Sequence, residues 1–437
     1  KAFTAIPRGS GPDVFIRAHD IVGNWADNKI IANLSDDLPK DERDKFHPTT
    51  IEALTYKDAL YAVPLAYKST VLFYNRDLID DAHVPDTSDD LLSYIEKNTN
   101  FEKQKYGLVY DNTSFFFHGA WFNGYGGSLF DEDGNVHLAT TENAKSFEFA
   151  RKLSQYQPAG LDGARIKTLF NDGQVAMVIN GPWFMAELRD GLNYGVHILP
   201  IMSETGRRSA PFVTAEGIFM ANEEGALAKI ESQNANLSPE ARVAFAQKKR
   251  AASLALMKFI AEQGAYTRVI EGRQMVAFTP AYDQLSNDTR PEAAFMRSVA
   301  PTFLKQLDNT VPQSNRPEMG SLWATLQNAL VKSLYGGPSG ETPYLLFLFL
   351  SLIVCGFVFL AKSTNPSVVS QKKNTLHKVL CAASFALSIP ILVWMSSVQG
   401  SNSLVDAMTA LTEAQSRAST LKAPPAEEAN PGPYLAI

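Results

Sequence analysis

The sequence predicts an α/β fold followed by two apolar membrane-spanning segments. Three features point there. Short strand-like apolar runs alternate with helical patterns up to about residue 220, as α/β architecture requires. Val175-Ala176-Met177-Val178-Ile179 is a continuous apolar run stopped by Asn180-Gly181-Pro182, the pattern of a strand buried on both faces. Past residue 340 the composition changes to two long uncharged apolar stretches.

The 437 residues are enough for two or more domains. A net charge of -6, with no basic stripe, argues against nucleic-acid binding. The two cysteines, Cys355 and Cys381, both fall in the apolar stretches. Residues 1–354 therefore hold no cysteine-based zinc site or disulfide framework, which suits an oxidising compartment. The chain opens at Lys1 without a signal peptide and closes on Pro431-Gly432-Pro433 and a short tail. Both ends read as cuts, with a signal peptide expected to have been lost.

Taken in order, Val14-Phe15-Ile16 reads as a short buried strand. Arg17-Ala18-His19-Asp20 stands at its carboxyl end, and a helix from Val22 to Ile31 carries Trp25. Asp20 is placed either to cap that helix or to accept hydrogen bonds from a ligand. A charged loop spans Asp36 to Lys45, and Lys57-Asp58 between apolar flanks predicts a hairpin turn. Residues 67–79 read as a strand running into a helix start, and Pro85 to Glu96 as a helix. The run Phe115-Phe116-Phe117 is either core or a sugar platform. Helix end Lys167 to Asp172, with Gly173 as its stop, leads into the strand at Val175. Trp183 then falls at the carboxyl end of a parallel strand, where open α/β sheets bind ligands, with the next helix running from Phe184 to Arg189. The alternative is that its ring fills a gap between helix and sheet. Pro211 to Met220 reads as a strand. The cluster Gln247-Lys248-Lys249-Arg250 reads as a solvated helix face, and Leu322 to Leu330, carrying Trp323, as an amphipathic helix.

After the linker Tyr335 to Gly340, Tyr344–Ala361 and Val379–Met395 each approach the roughly 20 residues of a bilayer-spanning helix. Lys362, Lys372, Lys373 and Lys378 lie between them without an acid, so the loop is predicted to be cytoplasmic and residues 1–340 and 397–437 to face outward. Ser401 to Lys422 reads as a polar helix or coiled stalk.

Catalytic signals are thin. No phosphate-binding loop, dinucleotide fingerprint, metalloprotease motif or nucleophile elbow occurs, and the seven histidines lack metal-ligand spacing. A glycosidase carboxylate pair stays open. Aromatic residues at loop and strand ends with polar neighbours are the composition of a carbohydrate cleft, in which sugar C–H faces stack on rings.

Several segments, in order, carry a family likeness: Gly11-Pro12-Asp13, Ala18-His19-Asp20, Tyr74-Asn75-Arg76-Asp77-Leu78, Gly126-Gly127, Phe170-Asn171-Asp172-Gly173, Ile179 to Trp183, Asn193-Tyr194-Gly195-Val196, and Pro317-Glu318-Met319 with Trp323. Over about residues 1–335 the chain resembles the maltose-binding-protein-like family of sugar-binding subunits of ABC transporters. The resemblance implies a two-lobed periplasmic-binding-protein fold with a hinge and no catalysis. It puts about 1–66 and 216–284 in lobe I and about 67–213 and 290–334 in lobe II. It also implies that the family's first strands and helix are missing.

By the same resemblance, Trp183 and Trp323 match sugar-stacking tryptophans, Asp20 an acid that binds sugar hydroxyls, and Phe115 a stacking tyrosine without its hydroxyl. Arg17, Ile21, Lys68 and Thr113 depart from the family's tryptophan, arginine, glutamate and glutamate. Arg17 and Lys68 are therefore expected to make the cleft more positive and to admit an acidic sugar, unless they are surface residues. No metal or cofactor is implied. The expected partners are an oligosaccharide, ABC permease subunits and the membrane. The expected location is the inner (cytoplasmic) membrane, with the binding domain facing the periplasm or cell exterior. Two fusions fit such a tail: a permease subunit following on, or a sugar-sensing membrane receptor of which this is the input domain.

Overall fold

A computed structural model describes residues 2–234, 236–335 and 403–419. The chain opens with a one-turn helix, α1 (Ala2–Ala5), and strand β1 (Val14–Ala18). Helix α2 (Val22–Asp27) is shorter than predicted: Lys29 adopts a left-handed φ of 52°, which closes the helix before Ile31. Short helices α3 (Lys40–Arg43), inside the predicted charged loop, and α4 (Pro48–Ala53) follow. Strands β2 (Thr55–Tyr56) and β3 (Ala59–Leu60) form the predicted hairpin. Lys57 and Asp58 both have positive φ, 47° and 62°, as a two-residue type I′ turn demands.

Strands β4 (Ala62–Lys68) and β5 (Val71–Asn75) divide the predicted 67–79 segment. Then come α5 (Ser88–Asn98), β6 (Tyr106–Val109), α6 (Phe115–Gly124), α7 (Thr141–Ser154), α8 (Gly163–Asn171) and β7 (Val175–Asn180). Gly173 has φ 63° and stops α8 as its position predicts. All six residues of β7 are buried. Its neighbours differ from the all-parallel expectation: β6 is parallel to it and β5 antiparallel. The helix expected from Phe184 is a 3-10 turn over Pro182–Ala186. The remaining elements are β8 (Tyr194–His197), β9 (Phe212–Met220), α9 (Glu223–Gln233), α10 (Pro239–Glu262), α11 (Ala265–Ile270), α12 (Pro280–Asp283), α13 (Pro291–Leu307), β10 (Val311–Pro312), α14 (Met319–Tyr335) and α15 (Ser403–Ala418).

Two sheets organise these elements. In one, β9 pairs antiparallel with β1 and β4 and parallel with β10. In the other the order is β6-β7-β5-β8. The first sheet is packed into a core that includes Ile21, Trp25, Leu54, Val63, Ile218 and Phe219. The second sheet has a core on each face. Leu72, Trp121, Phe147, Met177 and Leu326 lie in one, and Phe73, Phe170, Val178, Phe184 and Phe303 in the other. Two strands run from one lobe into the next. In β4, Ala62 to Ala66 belong to the first lobe's core and Tyr67 to the second's; in β9, Val213 belongs to the second and Ala215 to the first. Met257 and Ala261 close the first core, whereas Ala265, Val269 and Ile270 of α11 join the second.

Two surface expectations are corrected. Lys249 and Arg250 are not simply solvated: Lys249 lies 2.8 Å from Asp13, and Arg250 pairs with Asp37. Of the two readings of Ser401–Lys422, the helix holds and the stalk does not: α15 is docked, and it buries Ala407, Leu411 and Ala414 in the second lobe. The predicted spans Tyr344–Ala361 and Val379–Met395 lie outside the described residues, among which no helix is long and apolar enough to cross a membrane.

Candidate functional site

Trp183 is aimed by the backbone that precedes it. At the end of β7, the Gly181 N–H donates to Asn180 Oδ1 at 2.9 Å. A β-carbon on Gly181 would stand 2.1 Å from the Trp183 ring, so only glycine lets the indole fold over the strand end. The residue stays 36% exposed. Beside it lies Phe116 of α6, centroids 6.4 Å apart and planes at 46°, an ordinary tilted aromatic pair. Trp323 of α14 is half-buried, edge-on to Phe115 at 5.6 Å and 6.1 Å from Phe212 at the start of β9.

Phe115, the expected stacking residue, is buried in this structure. It is fully buried among Phe122, Phe147, Phe212 and Trp323, so neither face is open to a ligand. Successive helical residues point about 100° apart, and the open position belongs to Phe116. No signal within Phe115-Phe116-Phe117 fixes that phase; the contact with Trp183 does.

The first lobe contributes polar groups around one residue that the sequence reading missed. Ala18 of β1 and Ala66 of β4 both lie opposite Glu216 of β9. Lys68 Nζ stands 2.6 Å from Glu216 Oε1. Its ammonium is thus paired across the hinge strands. Glu216 is a lone acid in an otherwise uncharged strand, which is the signal that could have found it. Arg17 is half-buried on β1, opposite Gly217. Of the other two departures, Ile21 is buried in the first core and the Thr113 hydroxyl donates to Asp111 at 2.8 Å.

Asp20 lies in a 3-10 turn, His19–Ile21, and its side chain caps no helix. The residue keeps some solvent contact, yet its Oδ1 is enclosed and accepts no hydrogen bond from the described residues. Burial pushes its pKa up to about 6, against the pull of the Arg17 guanidinium and the N–H groups of Asp20 and Ile21. His19, fully buried, was also missed as a hinge group. Its Nδ1 accepts the Ala215 N–H at 3.0 Å, so Nε2 carries the proton and donates to the Gln313 carbonyl at 2.5 Å. Burial lowers its pKa to about 4.

The structure therefore gathers Arg17, Asp20, Lys68 and Glu216 where β1 and β4 flank β9. Trp183 and Phe116 are gathered on the second lobe, and Trp323 stands over Phe212. Phe212 and Glu216 are four residues apart on one strand, roughly 13 Å at the usual rise. Among the described residues no three His, Cys, Asp or Glu side chains gather to hold a metal ion. A separate cavity of about 730 Å³ lies in the first lobe, lined by Asp13, Tyr61, Asn222 and Lys249 among others. None of the six sequence-predicted residues lines it.

The family model for bacterial extracellular solute-binding proteins matches residues 1–295. A maltotriose-binding protein of Pyrococcus abyssi is 30% identical over 210 residues, 47% of this chain; that match spans only 46% of the relative's length. A galactooligosaccharide-binding protein of Bacillus subtilis is 27% identical over 74% of this chain and 72% of its own. Among solved structures, a cyclo/maltodextrin-binding protein complexed with maltotetraose superposes with a TM-score of 0.60 at 25% identity, covering 76% of this chain and 79% of that one.

Proposed function

The chain belongs to the bacterial extracellular solute-binding protein family, and from that premise we propose that it captures a neutral oligosaccharide between its lobes and presents it to an ABC importer. Two separate observations carry this reading: Trp183 of the second lobe is one third exposed beside Phe116, and Asp20 Oδ1 of the first lobe accepts no hydrogen bond from the described residues. Aromatic faces favour the C–H surface of a sugar ring, and a carboxylate accepts its hydroxyls. Relatives named for maltotriose and galactooligosaccharide support the sugar class. The Lys68–Glu216 pair favours a neutral sugar over an acidic one, because the lysine's charge is already spent. Binding energy would be used to draw the lobes together about β4 and β9, and the closed form is what a permease would distinguish from the open one. The reading assigns the chain no reaction. The apolar runs at 344–361 and 379–395 would tether it to the membrane, with the lobes outside and a permease subunit following on.

The test is the ligand-induced thermal shift of the whole chain in detergent against neutral and acidic oligosaccharides. A hundredfold excess over Kd stabilises the native state by about 2.7 kcal/mol. A shift with neutral sugars that Trp183→Ala abolishes is expected. A cooperative melt that no oligosaccharide moves would remove the reading.

A further inference from the structure

The chain leaves α11 through Glu271 and Gly272, yet the left-handed φ falls on the next residue, Arg273, at 49°. That conformation suits a glycine and strains a residue with a side chain. The Gln274 N–H closes the turn on the Arg268 carbonyl at 3.1 Å, and the Arg273 side chain crosses to the turn that carries Trp183. Its Nη1 donates to the Met185 carbonyl at 3.1 Å, and its guanidinium lies 5.0 Å from the centre of the Phe295 ring. Burial raises the Tyr194 pKa to about 12, and the same guanidinium works against that rise from close by. A carbonyl and an aromatic face, rather than a carboxylate, hold the fork in place, so the side chain acts through its geometry more than its charge.

Met185 is fully buried near the end of the 3-10 turn Pro182–Ala186, where its carbonyl receives no main-chain N–H from the described residues. Asn171, at the end of α8, holds the groups that follow: its Nδ2 donates to the Glu187 carbonyl at 3.2 Å, and its Oδ1 accepts the Arg189 N–H at 2.9 Å. Asn171 is a local anchor, 16 positions from Glu187, whereas Arg273 stands 88 positions from Met185. Just beyond Arg273 the chain runs beside β4. Met275 accepts the Tyr67 N–H at 2.9 Å, and the Ala277 N–H donates to Leu65 at 3.1 Å. Val276 lies in the second core and Ala277 in the first, so this segment also passes between the lobes. We infer, on the sugar-binding reading proposed above, that Arg273 is a positioning residue for Trp183: from a segment paired with hinge strand β4, it fixes the far end of the turn whose near end Gly181 shapes, and so holds the indole against Phe116. A five-residue 3-10 turn has few hydrogen bonds of its own, so its orientation is set by what grips its ends. Without the grip the indole spends less time in the orientation that meets a sugar ring, and apparent affinity falls by that fraction.

The experiment compares the full chain with Arg273→Gly and Arg273→Lys, each with and without Trp183→Ala, in detergent. Glycine takes the left-handed φ freely, so relief of the backbone offsets the lost contacts, and Arg273→Gly is expected to melt within a few degrees of the parent. Acrylamide quenching is read without sugar, the share of Trp183 being the difference from the matching Trp183→Ala protein. That share should rise in Arg273→Gly. Calorimetry with maltotriose as the probe should show affinity lower by about three- to tenfold. Arg273→Lys, which keeps one donor within reach of the carbonyl, should recover part of both. In the Trp183→Ala background Arg273→Gly should cost no further affinity. Unchanged quenching of Trp183 would overturn the inference, and so would an affinity loss of equal size in the Trp183→Ala background. Raised quenching in a chain that no oligosaccharide stabilises would uphold the positioning and remove the sugar-binding reading, so the two fail separately.

Discussion

Lys68 Nζ and Glu216 Oε1 are 2.6 Å apart on the two strands that pass from one lobe to the other, β4 and β9. The pair keeps a lysine in the cleft without leaving its charge to a ligand. Its side chains are 34% and 19% exposed, so the interaction falls between the small value of a surface ion pair and the larger one of a buried pair.

Glu216→Gln should therefore cost about 1–2 kcal/mol, between those limits, and release the Lys68 ammonium. The variant is expected to weaken its preference for neutral over acidic oligosaccharides. Titration calorimetry with both classes reads the preference, and urea unfolding reads the cost. Unchanged discrimination would take Lys68 out of the site.

Asp20 predicts a pH dependence of opposite sign for stability and for binding. Its folded pKa of about 6 lies above its usual 3.8, so the folded state holds the proton more tightly. The stability it contributes is present below about pH 4 and is lost as pH rises through 6. Hydroxyls that donate to the carboxylate favour its ionised form, so sugar affinity should rise over the same interval. Asp20→Asn is expected to flatten the affinity profile between pH 5 and 7 and to be no less stable at neutral pH. Calorimetry in buffers of different ionisation enthalpy should show proton release on binding near pH 5.5. No release would leave Asp20 without contact to the sugar.

Three aromatic variants separate platform from core. Phe115→Ala should destabilise by about 3–5 kcal/mol, as expected for emptying a fully buried phenylalanine site. Trp183→Ala and Phe116→Ala should leave the melting temperature within a few degrees and lower sugar affinity at least tenfold. If Phe115→Ala alone proved benign to folding and fatal to binding, the assignment of Phe116 would be reversed.

That contrast marks what the sequence made legible. The strand at Val175 and its stop at Asn180-Gly181-Pro182 follow from local rules, a continuous apolar run and turn residues; that Trp183 stays partly exposed there does not. Lys57-Asp58 fixed its turn in the same local way. Phe115 against Phe116 is a question of helical phase, which three identical neighbours do not encode. Glu216 and Lys68 are 148 positions apart, and their meeting depends on the register of β4 on β9. The docking of α15 is still less local, because its groove is made by α7 and α14 and its own residues read only as a polar helix or coiled stalk.

His19 ties the hinge together, and its chemistry gives a further prediction. One imidazole holds the Ala215 N–H of β9 and the Gln313 carbonyl just after β10, a role only the neutral tautomer can fill. Its pKa falls from 6.5 to about 4 because burial penalises the charged form. A lowered histidine pKa means that the stability is fully present above pH 6.5 and is lost as pH falls toward 4. The loss at pH 5 should be roughly 2 kcal/mol from this group. His118, fully buried and lowered to about 3, adds to it in the same direction. Urea unfolding at pH 7.5 and 5 measures the sum, and His19→Phe in parallel with His118→Phe divides it. Only the His19 variant removes a contact to β9, a strand that joins the lobes, so only it should melt in two calorimetric transitions. A single transition in both variants would make His19 a buried histidine like any other.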